Sequence, residues 1–254
     1  MIEAVLFDLS GVLYTGTEPI PGAVESIQKL NKAGLPIRYI TNTTRSPRGK
    51  ILKRLQSMGF AIHEDQLLTA PVAARHYLIE KGLSPFLLIH PDLKVEFADL
   101  ESNNSNAVLV GDAGSAFTYE HMNQAFRLLV EGVPLIAMGK NRYFREQDGL
   151  SLDAGPFVVA LEYAAETEAI LIGKPSPEFF RAALESIHAK AENTIMVGDD
   201  VEADVIGALD AGLQGILVRT GKYRSGDEKK IEGRAVCLDD INTVVEWILD
   251  QKTN

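Results

Sequence analysis

The chain has a single cysteine, Cys237, among 254 residues. One thiol cannot close an internal disulfide, so the fold must rest on a buried core rather than on covalent staples. Cys237 lies in the apolar run Ala235-Val236-Cys237-Leu238, which reads as a buried strand. Long hydrophobic runs are also lacking. None approaches the roughly 18 residues of a membrane span, and Met1 leads into Glu3 and Asp8 without a basic segment or a cleavage site. A cytoplasmic protein with no membrane partner is expected. Basic residues are outnumbered, 25 Lys and Arg against 35 Asp and Glu, for a formal net charge of -10. Phosphate backbones are bound through basic surfaces, so nucleic acid is excluded as a partner. The same charge repels small phosphorylated molecules, and a phosphate site here would need a metal ion or local cations to reverse the field. The five histidines show no zinc-ligand spacing.

What is present is ordinary globular material, 46% hydrophobic and 24% charged. The length, about one and a half usual domains, leaves one or two domains open. Ala4-Val5-Leu6-Phe7 is a continuous apolar run ending at Asp8, as expected of a strand buried on both faces of a parallel sheet. Ile27 and Leu30 follow at helical spacing with Gly34 as the stop, then a second apolar run, Pro36 to Ile40, ends at Thr41-Asn42. Ser46-Pro47 opens a helix that closes at Gly59. Near the other end, Asn193 to Gly198 reads as a strand ending at Asp199, followed by a helix from Val201 to Ala211, strands at Gln214 to Val218 and Ala235 to Leu238, and a last helix from Ile241 to Leu249. The alternation predicts a doubly wound, Rossmann-like α/β sheet. Between these halves the pattern repeats on a smaller scale, with strands at Phe86–Ile89, Ala107–Val110 and Pro134–Met138 and a helix over Tyr119–Val130. We read residues 76–169 as an α/β cap inserted into a discontinuous core formed by 1–75 and 170–254.

Three of the predicted core strands end in Asp8, Thr41-Asn42 and Asp199. Ligands of open parallel sheets bind outside the carboxyl ends of the strands, so these groups converge on one crevice despite their separation along the chain. Two carboxylates suit Mg²⁺, an oxygen-seeking ion, and Lys174 with a hydroxyl suits the far side of a phosphoryl group. Each residue taken alone has a structural alternative: an Asp after a strand is often a helix N-cap, and Lys174-Pro175 alone would pass for an exposed loop. Gly215 to Lys222 superficially suggests a phosphate-binding loop, but its spacing is one residue too long and Tyr223 stands where Ser or Thr is needed.

Together, Asp8-Leu9-Ser10-Gly11-Val12-Leu13, Thr41-Asn42, Lys174-Pro175 and Gly198-Asp199-Asp200 with Asp204 resemble, in order, the four motifs of haloacid dehalogenase (HAD) superfamily phosphatases. The chain is similar in particular to the subfamily IIA members, which carry a large C2-type cap between the second and third motifs. That resemblance implies a phosphatase with Asp8 as nucleophile, forming an aspartyl-phosphate that water hydrolyses. It further implies Mg²⁺ held by Asp8, the Ser10 carbonyl and Asp199, substrate held at Asp8, Leu9, Ser10, Thr41, Asn42 and Lys174, and Asp204 in support of Lys174 or a metal-bound water. A mobile cap that excludes water and a homodimer through the cap are implied as well.

One position departs from the commoner pattern of that superfamily. Where an aspartate serves as general acid and base two residues after the nucleophile, this chain has Ser10. Losing a positioned acid typically lowers the rate by about 10² to 10⁴, most for poor leaving groups. The branch it resembles acts on small phosphorylated substrates or phosphorylated side chains: phosphoramidates such as phospholysine and phosphohistidine, and inorganic pyrophosphate, whose leaving groups need little protonation. An aryl-phosphate or nucleotide phosphomonoesterase is the alternative within enzymes, and a weakly active phosphate-binding regulatory protein is the alternative outside them. Lys140, Arg142, Tyr143 and Arg145 form a polar cluster in the cap with either a substrate-selecting or a solvated role, and Arg45 lies close enough in sequence to Asn42 to meet an anion.

Overall fold

The structure is a computed structural model describing residues 2–100, 104–146 and 149–253. The chain divides into two compact units, one of residues 1–41, 51–68 and 174–254, the other of residues 42–50 and 69–173.

The first unit is built on a six-stranded sheet. Its strand order is Val236–Leu238, Gln214–Val218, Thr194–Gly198, Ala4–Phe7, Ile37–Thr41 and Leu67–Thr69. Ala4–Phe7 pairs in parallel with both of its neighbours, Phe7 lying opposite Val197 on one side and Tyr39 on the other. Its four residues are wholly buried, as a continuous apolar run in a central parallel strand requires. In chain order the strands run 3-2-1-4-5-6 across the sheet, the doubly wound arrangement. The winding reverses between Ala4–Phe7 and Thr194–Gly198, which is where such sheets open a crevice. Helix Ala23–Lys32 lays Ala23, Ile27 and Leu30 into the core, spaced i, i+4, i+7 on one face. Residues Val244, Val245 and Ile248 of helix Ile241–Thr253 join the same cluster. Burying one such aliphatic side chain contributes about 1.5–3 kcal/mol.

Two features of this unit differ from the sequence expectation. The segment after Asp199 is not a regular helix: Val201–Ile206 opens with a wide turn in which Val205 N–H reaches the Asp200 carbonyl at 3.4 Å, and only Gly207–Asp210 is α-helical. Widened turns of this kind recur at functional sites. Cys237 is half-buried rather than buried, because its strand is the edge of the sheet.

The second unit holds a smaller parallel sheet in the order Ile170–Leu171, Leu135–Ala137, Ala107–Val110, Pro85–Leu88. Helix Ala70–Lys81 is capped by the Thr69 hydroxyl, which accepts from Val72 N–H at 3.3 Å, and it stops at Gly82 in the left-handed conformation. Helix Tyr119–Val130 is capped in the same manner by Thr118, 3.2 Å from His121 N. A third helix, Ala154–Ala165, follows a hairpin of Tyr143–Glu146 and Gly149–Leu152. The unit thus takes in residues 42–50, begins its main segment at Thr69 rather than at residue 76 in the middle of helix Ala70–Lys81, and ends at 173 rather than 169. Thr69 starts a cap that cannot be separated from its helix, and Ile170–Leu171 is hydrogen-bonded into this sheet.

Candidate active site

Asp8 follows the central strand, and its N–H donates to Val197 O at 2.9 Å, continuing the ladder to the level of Gly198. Asp199 comes one residue after the adjacent strand. The reversal of winding therefore sets two carboxylates side by side at one sheet edge. Asp204 joins them through the wide turn, whose geometry presses its side chain against Gly198, where any Cβ would collide with the Asp204 carboxylate. One carboxylate oxygen from each of Asp8, Asp199 and Asp204 lies within 4.8 Å of the others, and all three residues are buried.

Lys174 enters this cluster from the other end of the chain, 166 residues from Asp8. Its ammonium, buried at 3% exposure, is 2.5 Å from Asp8 Oδ1 and 2.6 Å from Asp204 Oδ1. Burial disfavours its charge, yet Asp204 and Asp8 outweigh burial and hold its pKa above the ordinary value, so the side chain stays cationic. A cis peptide joins it to Pro175.

The carboxylates respond in the opposite direction. Burial, then the charges of Asp8 and Asp204, push Asp199 up to about 8. Burial likewise pushes Asp204 up to about 6, opposed by Lys174. Three buried carboxylates against one fully buried ammonium leave excess negative charge. A hard divalent cation fits this donor set: all oxygen, crowded, and short of positive charge.

Thr41 ends the strand beside Ala4–Phe7 and is 3% exposed. Ser10 is exposed. The Leu9 side chain is wholly buried in the core cluster, and its carbonyl accepts from Leu13 N–H at 2.8 Å. Asn42 is the first residue of the second unit. Arg45 also lies in that unit, ion-paired to buried Asp112 and stacked 4.4 Å over the Phe144 ring. Lys140 is paired with Glu162 at 2.7 Å, Arg142 is exposed, Tyr143 is half-buried, and the side chain of Arg145 lies outside the described residues.

Sequence reasoning missed Lys222. Its N–H donates to Asp199 Oδ2 at 2.7 Å, a contact with no side-chain signature in the sequence.

Family models agree with this arrangement along the chain. Residues 5–103 match haloacid dehalogenase-like hydrolase, and residues 171–244 match HAD-hydrolase-like. Haloacid dehalogenase-like hydrolase domain-containing protein 2 of Homo sapiens is 46% identical over 230 residues, 91% of this chain and 89% of that protein. The chain belongs to the haloacid dehalogenase-like hydrolases. Phospholysine phosphohistidine inorganic pyrophosphate phosphatase of Rattus norvegicus is 44% identical over 255 residues, covering 98% of this chain and 94% of that one. Among solved structures, the 4-nitrophenylphosphatase of Thermotoga maritima superposes with a TM-score of 0.89 at 25% identity, over 96% of this chain and 97% of that one. Within the haloacid dehalogenase-like hydrolases this chain is a phosphatase, with the α/β core and inserted cap of its relatives.

Proposed function

We propose that this hydrolase is a Mg²⁺-dependent phosphatase that works through an aspartyl-phosphate on Asp8 and acts on phosphoramidates, such as phospholysine and phosphohistidine, and on inorganic pyrophosphate. The observation that carries the reading is the convergence of Asp8, Asp199, Asp204 and Lys174 at the reversal point of the sheet. Asp8, Asp199 and the Ser10 carbonyl would hold the ion, which when bound supplies positive charge against the phosphoryl oxygens.

The chain's own groups divide the remaining work. A carboxylate oxygen of Asp8 attacks phosphorus, a P–O bond forms, and the P–N or P–O bond to the leaving group breaks with its electron pair going to that group. Water then attacks the same phosphorus, releasing orthophosphate and restoring the carboxylate. Lys174 and the Thr41 hydroxyl grip the phosphoryl oxygens and offset charge as it spreads in the transition state. Asp204, 2.6 Å from Lys174, positions that ammonium rather than touching substrate.

Ser10 limits the substrate. Exposed and unable to deliver a proton near neutral pH, it leaves alkyl phosphates without a general acid. A phosphoramidate loses its amine with the nitrogen already protonated, and pyrophosphate loses orthophosphate, a stabilised anion. The names of the relatives with 42–44% identity point to the same substrates. Aryl phosphates share the undemanding leaving group, and the likeness to 4-nitrophenylphosphatases favours them as a second reading.

The test is phosphate release, with and without EDTA, from phosphohistidine, phospholysine, pyrophosphate, 4-nitrophenyl phosphate and a sugar phosphate. Wild type should show kcat/KM for P–N and P–O–P bonds about 10² to 10⁴ above that for the sugar phosphate, and Ser10→Asp should narrow the gap. Equal wild-type rates on all of them would remove the role given to Ser10, and full activity in Asp8→Asn would remove the nucleophile.

A further inference from the structure

The segment Arg219–Tyr223, which the phosphatase chemistry above does not use, packs against Asp199. Three contacts tie it down. The Thr220 hydroxyl donates to the Gly11 carbonyl, in the loop that follows the nucleophile. Lys222 N–H donates to Asp199 Oδ2 at 2.7 Å. The half-exposed Lys222 ammonium reaches Asp200 Oδ2 at 3.2 Å. Asp200 is itself a rigid anchor, because its other oxygen accepts from Glu202 N–H at 3.2 Å and Ala203 N–H at 3.1 Å and caps the turn that carries Asp204.

Glycine makes this closeness possible. Gly11, with φ of +89°, and Gly221, with φ of +62°, flank the Asp199 carboxylate so tightly that a Cβ at either would collide with Oδ2. Both backbone conformations are ones that L side chains rarely adopt. Two left-handed glycines pressed on one carboxylate oxygen, with the Lys222 main-chain donor on the same oxygen, restrict how that carboxylate can turn.

We propose that Arg219–Tyr223 is a clasp that orients Asp199 for the divalent cation, and that Lys222 is its positioning residue, holding Asp199 with its main chain and Asp200 with its side chain. The inference rests on the Mg²⁺ reading of the site. It assigns Lys222 a role toward affinity for the ion rather than toward phosphorus. Groups that orient a metal ligand typically change affinity by 10- to 100-fold when removed.

Charge alone predicts the reverse of the clasp, and this makes the idea testable by sign. Lys222 is a cation beside Asp200, Asp199, Asp204 and Asp8, so a bystander ammonium would weaken Mg²⁺ binding, and its loss would strengthen it. Mg²⁺ affinity should be measured by calorimetry on the full chain without substrate, for wild type, Lys222→Met, Lys222→Arg and the charge-neutral Gly221→Ala. The clasp predicts about tenfold weaker binding in Lys222→Met, recovery to within about threefold in Lys222→Arg, and a loss at least as large as that of Lys222→Met in Gly221→Ala. Mg²⁺ binding to Lys222→Met as tightly as to wild type, or more tightly, overturns the clasp and leaves the metal site standing. Absence of Mg²⁺ binding by wild type overturns the metal reading, and the clasp with it.

Discussion

The two sheets of this protein are parallel constructions of similar logic with different contents at their carboxyl edges. In the first unit the edge gathers three buried carboxylates around one fully buried ammonium. In the second, Asp112 follows the strand Ala107–Val110 and is met by Arg45, by Gly114 N–H at 3.0 Å and by the Thr44 hydroxyl, which accepts its N–H at 2.9 Å. One edge is crowded with like charge, and the other pairs one anion with one cation. Among the described residues the trio of possible metal ligands lies in the first unit alone. The fold supplies the place, and the residues set there decide the chemistry.

The largest expected effects come from unpairing the central charge at each edge, the cation in the first unit and the anion in the second. Lys174→Met leaves Asp8 and Asp204 buried beside an apolar chain. Breaking a buried pair costs about 3–5 kcal/mol, and we expect a loss of that order in urea unfolding together with loss of phosphate release. Asp112→Asn leaves Arg45, already about one third exposed, to be solvated, and should cost only about 1–2 kcal/mol, a fall in Tm of a few degrees. Equal losses in the two variants would erase the distinction between the edges.

The crowding at the first edge also makes stability depend on pH. Asp199 at about 8 and Asp204 at about 6 lie above the ordinary aspartate value, so across roughly pH 4 to 8 the folded protein binds more protons than the unfolded chain. Their contribution to stability is present in full below the unfolded pKa and is lost as pH rises through the folded one. The Tm of protein kept in EDTA should therefore fall between pH 5 and 8, and saturating Mg²⁺ should flatten the slope. A Tm that rises over this range in EDTA would show that the carboxylates are not crowded.

The smallest expected effect lies in the same first sheet, away from its edge. The Tyr39 hydroxyl is fully buried with no hydrogen-bond partner among the described residues, and burial raises its pKa. Tyr39→Phe removes an unsatisfied polar group and should raise stability by about 0.5–1 kcal/mol, read as a shift in the urea midpoint. A destabilised variant would mean that the hydroxyl is satisfied in solution.

What could be read from the sequence follows the same physical line. Ala4–Phe7, Ala107–Val110 and Gln214–Val218 are strands with the bounds their apolar runs predict, and Tyr119–Val130 is a helix at its predicted limits because Thr118 marks its start. Helix Ala154–Ala165 is almost uniformly apolar, so no polar face announces its period. Helix Pro177–Glu185 did carry a signal, Pro177 at its first position with Phe180, Ala183 and Leu184 buried on one side. Of the carboxylate cluster, Asp8 and Asp199 were legible because strand ends are legible. The Lys222 contact was not, because a main-chain N–H looks the same in every residue.

The Lys174 to Asp8 contact closes a loop of 166 residues. During synthesis Asp8 leaves the ribosome long before Lys174, and Asp199 later still. A nascent chain therefore carries Asp8 without Lys174, Asp199 or Asp204, and the charged cluster can assemble only after residue 204 has emerged.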